Sequence, residues 1–271
     1  MLNSSQHFKI SKLKEYLYVI KENISLVHPF YTNNPLNLYL ILGTNSALLL
    51  DTGCGLYPLK PIVNSLIGKR KLLIVNTHTH WDHVLGNEEF EEIFIHEAEA
   101  NIVSKFYDVS FFRDSPNDIV KKYGMQDYLI PPAKIIHSIQ DGYIFDLGTI
   151  TVKVIHTPGH SPGSICLLTN RNELFTSDVA YYGDQFLPKK EEFFQVLKTL
   201  YNLIDLCETH KIVEIYPSHR QSPCDISLLK DLYEGVKNIE NIWNTREGFE
   251  FFNSWKIDDS SGKFRYYISR V

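Results

Sequence analysis

The run His78-Thr79-His80-Trp81-Asp82-His83 constrains this chain more than any other stretch. Three imidazoles and a carboxylate crowd into six residues, directly behind the apolar run Leu72-Leu73-Ile74-Val75. Such a run reads as a buried strand. Imidazole combined with carboxylate suits zinc, iron or manganese. The plain alternative is a polar loop of solvated histidines, and the rest of the chain argues against it. A fold that carries this stretch must hold its loop rigidly at a strand end and bring further ligands to it.

Those further ligands recur in one pattern. Asp51 follows Leu48–Leu50, His160 follows Val152–Ile155, Asp178 follows Leu174–Phe175, and His219 follows Ile212–Tyr216. Each candidate comes a few residues after an apolar run. Strand-end loops are where α/β proteins gather functional groups, because the sheet aims them. Between these strands, the spacing predicts helices over Pro61–Ile67, Glu97–Phe106, Glu191–Cys207 and from Leu229 to Trp243. Asn87 is placed to cap a short helix at Glu88–Glu91. Gly43-Thr44-Asn45-Ser46 reads as a hairpin turn, and a last hairpin joins Phe249–Ile257 to Phe264–Ile268.

Tyr107–Pro132 is irregular and aromatic, a possible lid over a site. Without repeats or a low-complexity linker, residues 1–271 read as one domain, with a helix and a hairpin at 225–271. A net charge of −5 argues against a nucleic-acid surface. No apolar run approaches the ~18 residues needed to span a membrane. Met1–Ile10 is polar and lacks the apolar core of a signal peptide. The four cysteines form no Cys-x-x-Cys pair and read as free thiols of a cytoplasmic protein. No sequence signal indicates an oligomeric state. His7, His28, His96, His137, His156 and His210 read as surface or core histidines, and Cys54 as a structural cysteine.

Taken in order, His-x-His-x-Asp-His, Pro158-Gly159-His160-Ser161-Pro162-Gly163-Ser164, Ser177-Asp178 and Ser218-His219, led by Asp51-Thr52-Gly53, resemble the metallo-β-lactamase superfamily. The resemblance covers roughly residues 16 to 220. It implies an α/β fold, the four-layer αβ/βα sandwich. It also implies two divalent metal ions, zinc foremost, with iron or manganese as the other choices. By the resemblance His78, His80 and His160 hold the first ion, Asp82, His83 and His219 the second, and Asp178 bridges them. Asp51 would orient a ligand imidazole.

Within the superfamily the departures are informative. True β-lactamases of this fold lack the bridging aspartate, and flavodiiron proteins replace the second histidine of the motif. The segments Asn37–Gly55, His96–Ala100, Asp141–Gly148, Thr157–Leu168 and Ser177–Gly183 look similar to those of acyl-coenzyme A thioesterase-type metallo-β-lactamase domain proteins. Acyl-homoserine lactonases carry a tyrosine three residues after the bridging aspartate, where this chain has Tyr181. The expectation is a dinuclear hydrolase in which a metal-bound hydroxide attacks a small acyl substrate: an ester, thioester or lactone. Asp82 and Tyr181 are the expected catalytic residues, Tyr181 by donating to the developing oxyanion. The alternative from another class is a mononuclear iron sulfur dioxygenase. Phosphodiesterase and β-lactamase readings stand further back.

Overall fold

In a computed structural model that describes residues 7–28 and 30–271, strand β3 (Leu36–Leu42) is enclosed along its whole length. All seven of its residues are buried. Its sequence, LNLYLIL, is nearly unbroken apolar, the signature of a strand covered on both faces. The polar stretch Met1–Ile10 falls partly outside the described residues. The chain divides into two units, residues 1–154 and 155–271.

The first unit is built on a seven-stranded mixed sheet. Its strands are β1 (Phe8–Lys14), β2 (Leu17–Glu22), β3, β4 (Ser46–Leu50), β5 (Lys71–Val75), β6 (Glu92–His96) and, after the short pair β7 (Tyr107–Asp108) and β8 (Leu129–Ile130), β9 (Ile135–Ile139). The order is β1-β2-β3-β4-β5-β6-β9. From β4 onward the neighbours run parallel. Parallel strands end on the same edge, so the loops after β4 and β5 emerge side by side. The register Leu50↔Val75 makes them immediate neighbours. Helices α1 (Lys60–Ile67), α2 (Trp81–Val84), α3 (Glu97–Val103) and α4 (Asn117–Gly124) complete the unit, with the pair β10 (Ile144–Asp146) and β11 (Thr151–His156).

The second unit starts within β11. Strand β12 (Ile165–Thr169) pairs antiparallel with β13 (Glu173–Ser177), and β13 pairs parallel with β15 (Glu214–Pro217). A separate four-stranded sheet has the order β14-β18-β17-β16, with β14 (Gly183–Leu187) parallel to β18 (Phe264–Ser269) and β17 (Ser254–Asp258) antiparallel to it; β16 (Glu247–Phe249) forms the edge. Helix α5 (Phe193–His210) buries Phe193, Val196, Leu200, Leu203 and Cys207, the spacing of one helical face. Helix α6 (Ser227–Ile242) buries Leu228, Leu229, Leu232, Val236 and Ile239 in the same way. Each such leucine contributes roughly 1.5–3 kcal/mol on leaving water.

Three local readings are corrected. Leu85–Glu89 is a 3-10 turn with Asn87 inside it, so Asn87 caps no helix at Glu88–Glu91. Its side chain turns inward instead, to partners from two other loops. Tyr181–Pro188, which reads from sequence as a loop after Asp178, is not all loop, because Gly183–Leu187 joins β18 as a strand. Helix α3 stops at Val103, three residues before Phe106. Among the described residues no helix is long and apolar enough to cross a membrane. Cys54, Cys166, Cys207 and Cys224 are all buried free thiols.

Candidate metal centre

In the first unit the candidate ligands follow β5, and Asp51, read as orienting one of them, follows the neighbouring parallel strand β4. Asp51 directly follows β4 and adopts a left-handed backbone, φ 62°. Aspartate tolerates that conformation better than most residues. Its N–H donates to the Val75 carbonyl at 2.9 Å, which ties the two strand ends together. Its carboxylate then accepts three hydrogen bonds. Oδ1 accepts from the Thr77 N–H at 2.7 Å, and Oδ2 from the Thr77 hydroxyl and from His83 Nδ1, each at 2.8 Å. With Nδ1–H donated to Asp51, the His83 Nε2 atom carries the lone pair, the tautomer a metal requires.

The other imidazoles crowd close. The His78 ring lies 4.1 Å from the His83 ring and 4.6 Å from that of His80, centre to centre. Asp82 Oδ2 stands 3.8 Å from His83 Nε2. His78, Asp82 and His83 are buried, and His80 is half-buried. Beside them lies an aromatic group. The Trp81 ring meets Tyr31 at 4.6 Å and Phe112 at 5.0 Å, and Phe112 stacks on Tyr123 at 5.1 Å. Burial first, and the charge of Asp82 second, hold the Tyr31 and Tyr107 phenols above their ordinary range. Sequence reasoning missed Tyr31, which lies far upstream of every motif.

The aromatic insert is anchored on this unit. Tyr123 donates its hydroxyl to the Cys54 carbonyl at 2.7 Å, and Lys122 donates to the Gly55 carbonyl. Glu22 fixes the same loop, accepting from the Cys54 N–H at 3.0 Å and contacting His7 at 2.7 Å. Burial, then the neighbouring Glu22 charge, raises the Cys54 thiol well above its ordinary value.

In the second unit three candidates come from three loops. Asp178 and His219 lie one and two residues beyond the paired parallel ends Ser177↔Pro217. Asp178 Oδ2 sits 3.3 Å from His219 Nε2 and 3.7 Å from His160 Nε2. His160 is oriented by β14, its Nδ1 donating to the Phe186 carbonyl at 3.0 Å. The loop that carries it is pressed by α5. Thr199 donates to the Pro158 carbonyl at 2.6 Å, and a Cβ on Gly159 would lie 3.1 Å from the Val196 backbone. At φ +146° glycine is the residue that fits.

Tyr181 is completely buried, and its ring stands 5.0 Å from the His219 ring. Its hydroxyl donates to the Asp184 carbonyl. A phenol has one proton, and here the backbone receives it. In this geometry Tyr181 braces the loop beside His219; the oxyanion donor expected from sequence would first have to release that bond. Two of the histidines read as plain have protein partners: His137 pairs with Glu92 at 2.8 Å, and His156 bonds the Pro162 carbonyl at 2.9 Å.

Residues 31–219 match the profile of the metallo-β-lactamase superfamily. The chain belongs to that superfamily. It is 30% identical over 207 residues to the acyl-coenzyme A thioesterase MBLAC2 of Gallus gallus, covering 70% of this chain and 74% of that one. An atrochrysone carboxyl ACP thioesterase of Aspergillus fumigatus is 29% identical over 169 residues, 60% of this chain and 46% of its own. Among solved structures, a metallo-β-lactamase family protein from Thermus thermophilus aligns with a TM-score of 0.65 at 19% identity, over 89% of this chain and 88% of that one. The fold is therefore the metallo-β-lactamase α/β fold. Its histidine and aspartate groups suit divalent metal ions.

Proposed function

We propose that this protein is a metal-dependent hydrolase of acyl thioesters, with zinc at two positions. His78, His80 and His160 would hold one ion and Asp82, His83 and His219 the other, with Asp178 available to both. The donor chemistry fits: His83 and His160 each commit Nδ1 to a hydrogen bond and keep Nε2 for a metal. The observation that carries the reading is Asp178, a buried carboxylate oxygen within 3.7 Å of two imidazole Nε2 atoms. A bridging ligand needs that placement. When bound, such a pair of divalent ions supplies Lewis acidity and an activated water.

The chain's own residues do the rest. Asp51 and the Phe186 carbonyl fix two ligand tautomers. Asp82, besides being a candidate ligand, would be the carboxylate available to accept a proton in the reaction. Tyr181 positions His219. Tyr31, Trp81 and Tyr107, with buried Phe112 packed behind Trp81, place aromatic groups near Asp82, which suits an acyl chain better than a phosphodiester. Two thioesterases among the relatives support the thioester over the lactone. The profile match takes in residues 31–219, parts of both units, which supports reading that stretch as one functional domain, with the helix and hairpin at 225–271 read as its extension. Four buried free thiols support a cytoplasmic setting.

A substrate panel on metal-analysed protein tests this reading. Acyl-coenzyme A thioesters should be cleaved fastest, lactones more slowly, and phosphodiesters and β-lactams least, with about two zinc ions per chain. Faster phosphodiester cleavage would remove the reading. One iron per chain with oxygen uptake would replace it with sulfur oxidation.

A further inference from the structure

The carbonyl of His83 is surrounded by donors that no ligand role requires. The Thr52 N–H reaches it at 2.9 Å, the Thr52 hydroxyl lies 3.1 Å away, and Asn76 Nδ2 lies at 3.3 Å. Asn87 links these groups. Its Nδ2 donates to Asn76 Oδ1 at 2.8 Å, and its Oδ1 is 2.9 Å from the Thr52 hydroxyl. That hydroxyl has one proton, shared between Asn87 and the His83 carbonyl. Thr52, Asn76 and Asn87 are all buried, at 1%, 0% and 3% exposure.

We infer that Thr52, Asn76 and Asn87 are positioning residues: a polar clamp that holds the main chain of His83 while Asp51 holds its ring, so that this ligand is preset before metal arrives. Buried amides and hydroxyls are costly unless satisfied. Here three of them are satisfied by one another and by one carbonyl. The cost is met in a way that specifies a single backbone position.

The surrounding backbone leaves no slack. A Cβ on Gly86 would lie 2.2 Å from the Thr52 carbonyl, and one on Gly55 would lie 2.6 Å from the Leu85 carbonyl. The Gly86 N–H donates to the Gly53 carbonyl at 3.3 Å. The loop after β4 and the segment after His83 thus meet backbone to backbone. The clamp closes across that contact. This also accounts for the inward turn of Asn87.

The inference rests on the reading of His83 as a ligand, and the test separates the two. Zinc affinities are measured by competition with a chromophoric chelator for wild type, His83→Ala, Asn87→Ala, Thr52→Val and Thr52→Ser. Amide exchange at Thr52 is followed alongside. Thr52→Val keeps the side-chain shape and removes the hydroxyl; Thr52→Ser keeps the hydroxyl. We expect Asn87→Ala and Thr52→Val to weaken one zinc affinity by about 10–100-fold and leave the other unchanged. Thr52→Ser should behave as wild type, and Thr52 exchange should speed up in Asn87→Ala. If Asn87→Ala does not fold, Thr52→Val carries the test. If His83→Ala loses one zinc while Thr52→Val and Asn87→Ala keep both affinities, the clamp is overturned and the ligand reading stands. If His83→Ala still binds two zinc ions at wild-type affinity, both fall.

Discussion

In residues 1–154 four candidate ligands lie within six consecutive positions, on one turn and the short helix α2 behind one strand; in residues 155–271 three candidates come from three separate loops. The contiguous set is held by short-range polar contacts: Asp51 on His83, with Thr52, Asn76 and Asn87 behind it. The dispersed set is held by packing and register. Strand β13 beside β15 sets Asp178 against His219, while α5 presses on Gly159 and β14 orients His160. The difference teaches where each set is vulnerable. Hydrogen-bond deletions should disturb the first, and loss of the common carboxylate or of loop bracing should disturb the second.

The largest expected effect lies in the dispersed set. Asp178→Ala should lower thioesterase activity by at least about a thousandfold and reduce metal content, because it removes the carboxylate between two imidazoles. Near-normal turnover with two metals bound would break the comparison at its strongest point. The contiguous set should respond less. Asp51→Ala leaves His83 Nδ1 without its acceptor and should weaken metal binding by about 10–100-fold, read by chelator competition.

Tyr181→Phe sharpens the contrast further. Its hydroxyl bonds the Asp184 carbonyl, so removing it should cost about 1 kcal/mol of stability, measured by denaturant unfolding. Turnover should stay within about tenfold of wild type, because a bracing residue acts through geometry alone. A loss of about 10²–10³ in turnover at unchanged metal content would instead restore the donor role.

The smallest effect concerns pH. Burial pushes the Cys166 thiol from an ordinary 9.0 up to about 12, offset in part by a hydrogen bond from Thr157. The folded state therefore keeps its proton where the unfolded chain loses it. This contribution to stability is complete below the unfolded value and is lost as pH rises from 9 toward 12. The melting temperature should fall over that range, and Cys166→Ala should show a shallower fall. An unchanged slope would place the alkaline sensitivity elsewhere, with the buried tyrosines.

The sequence by itself determined the types of the candidate ligands, their order and their position after apolar runs. The hairpin at Gly43–Ser46, the helix before Gly68 and the helical stripes of α5 and α6 were legible in the same way. These features are local: periodicity and strand-end chemistry are written in neighbouring residues. Only the tertiary structure decided what each candidate ligand leans on. Phe186 serves His160 through its carbonyl, and every residue has a carbonyl, so no side-chain signature announces it. Asn87 looks like a helix cap from its neighbours, yet it pairs with Asn76 and Thr52, which other loops supply. Tyr181 looks like an oxyanion donor by its offset from Asp178, but its hydroxyl donates to the Asp184 backbone carbonyl, where the chain turns back into β14. Hydrogen-bond partners are chosen by proximity in space, and a single sequence records proximity only along the chain.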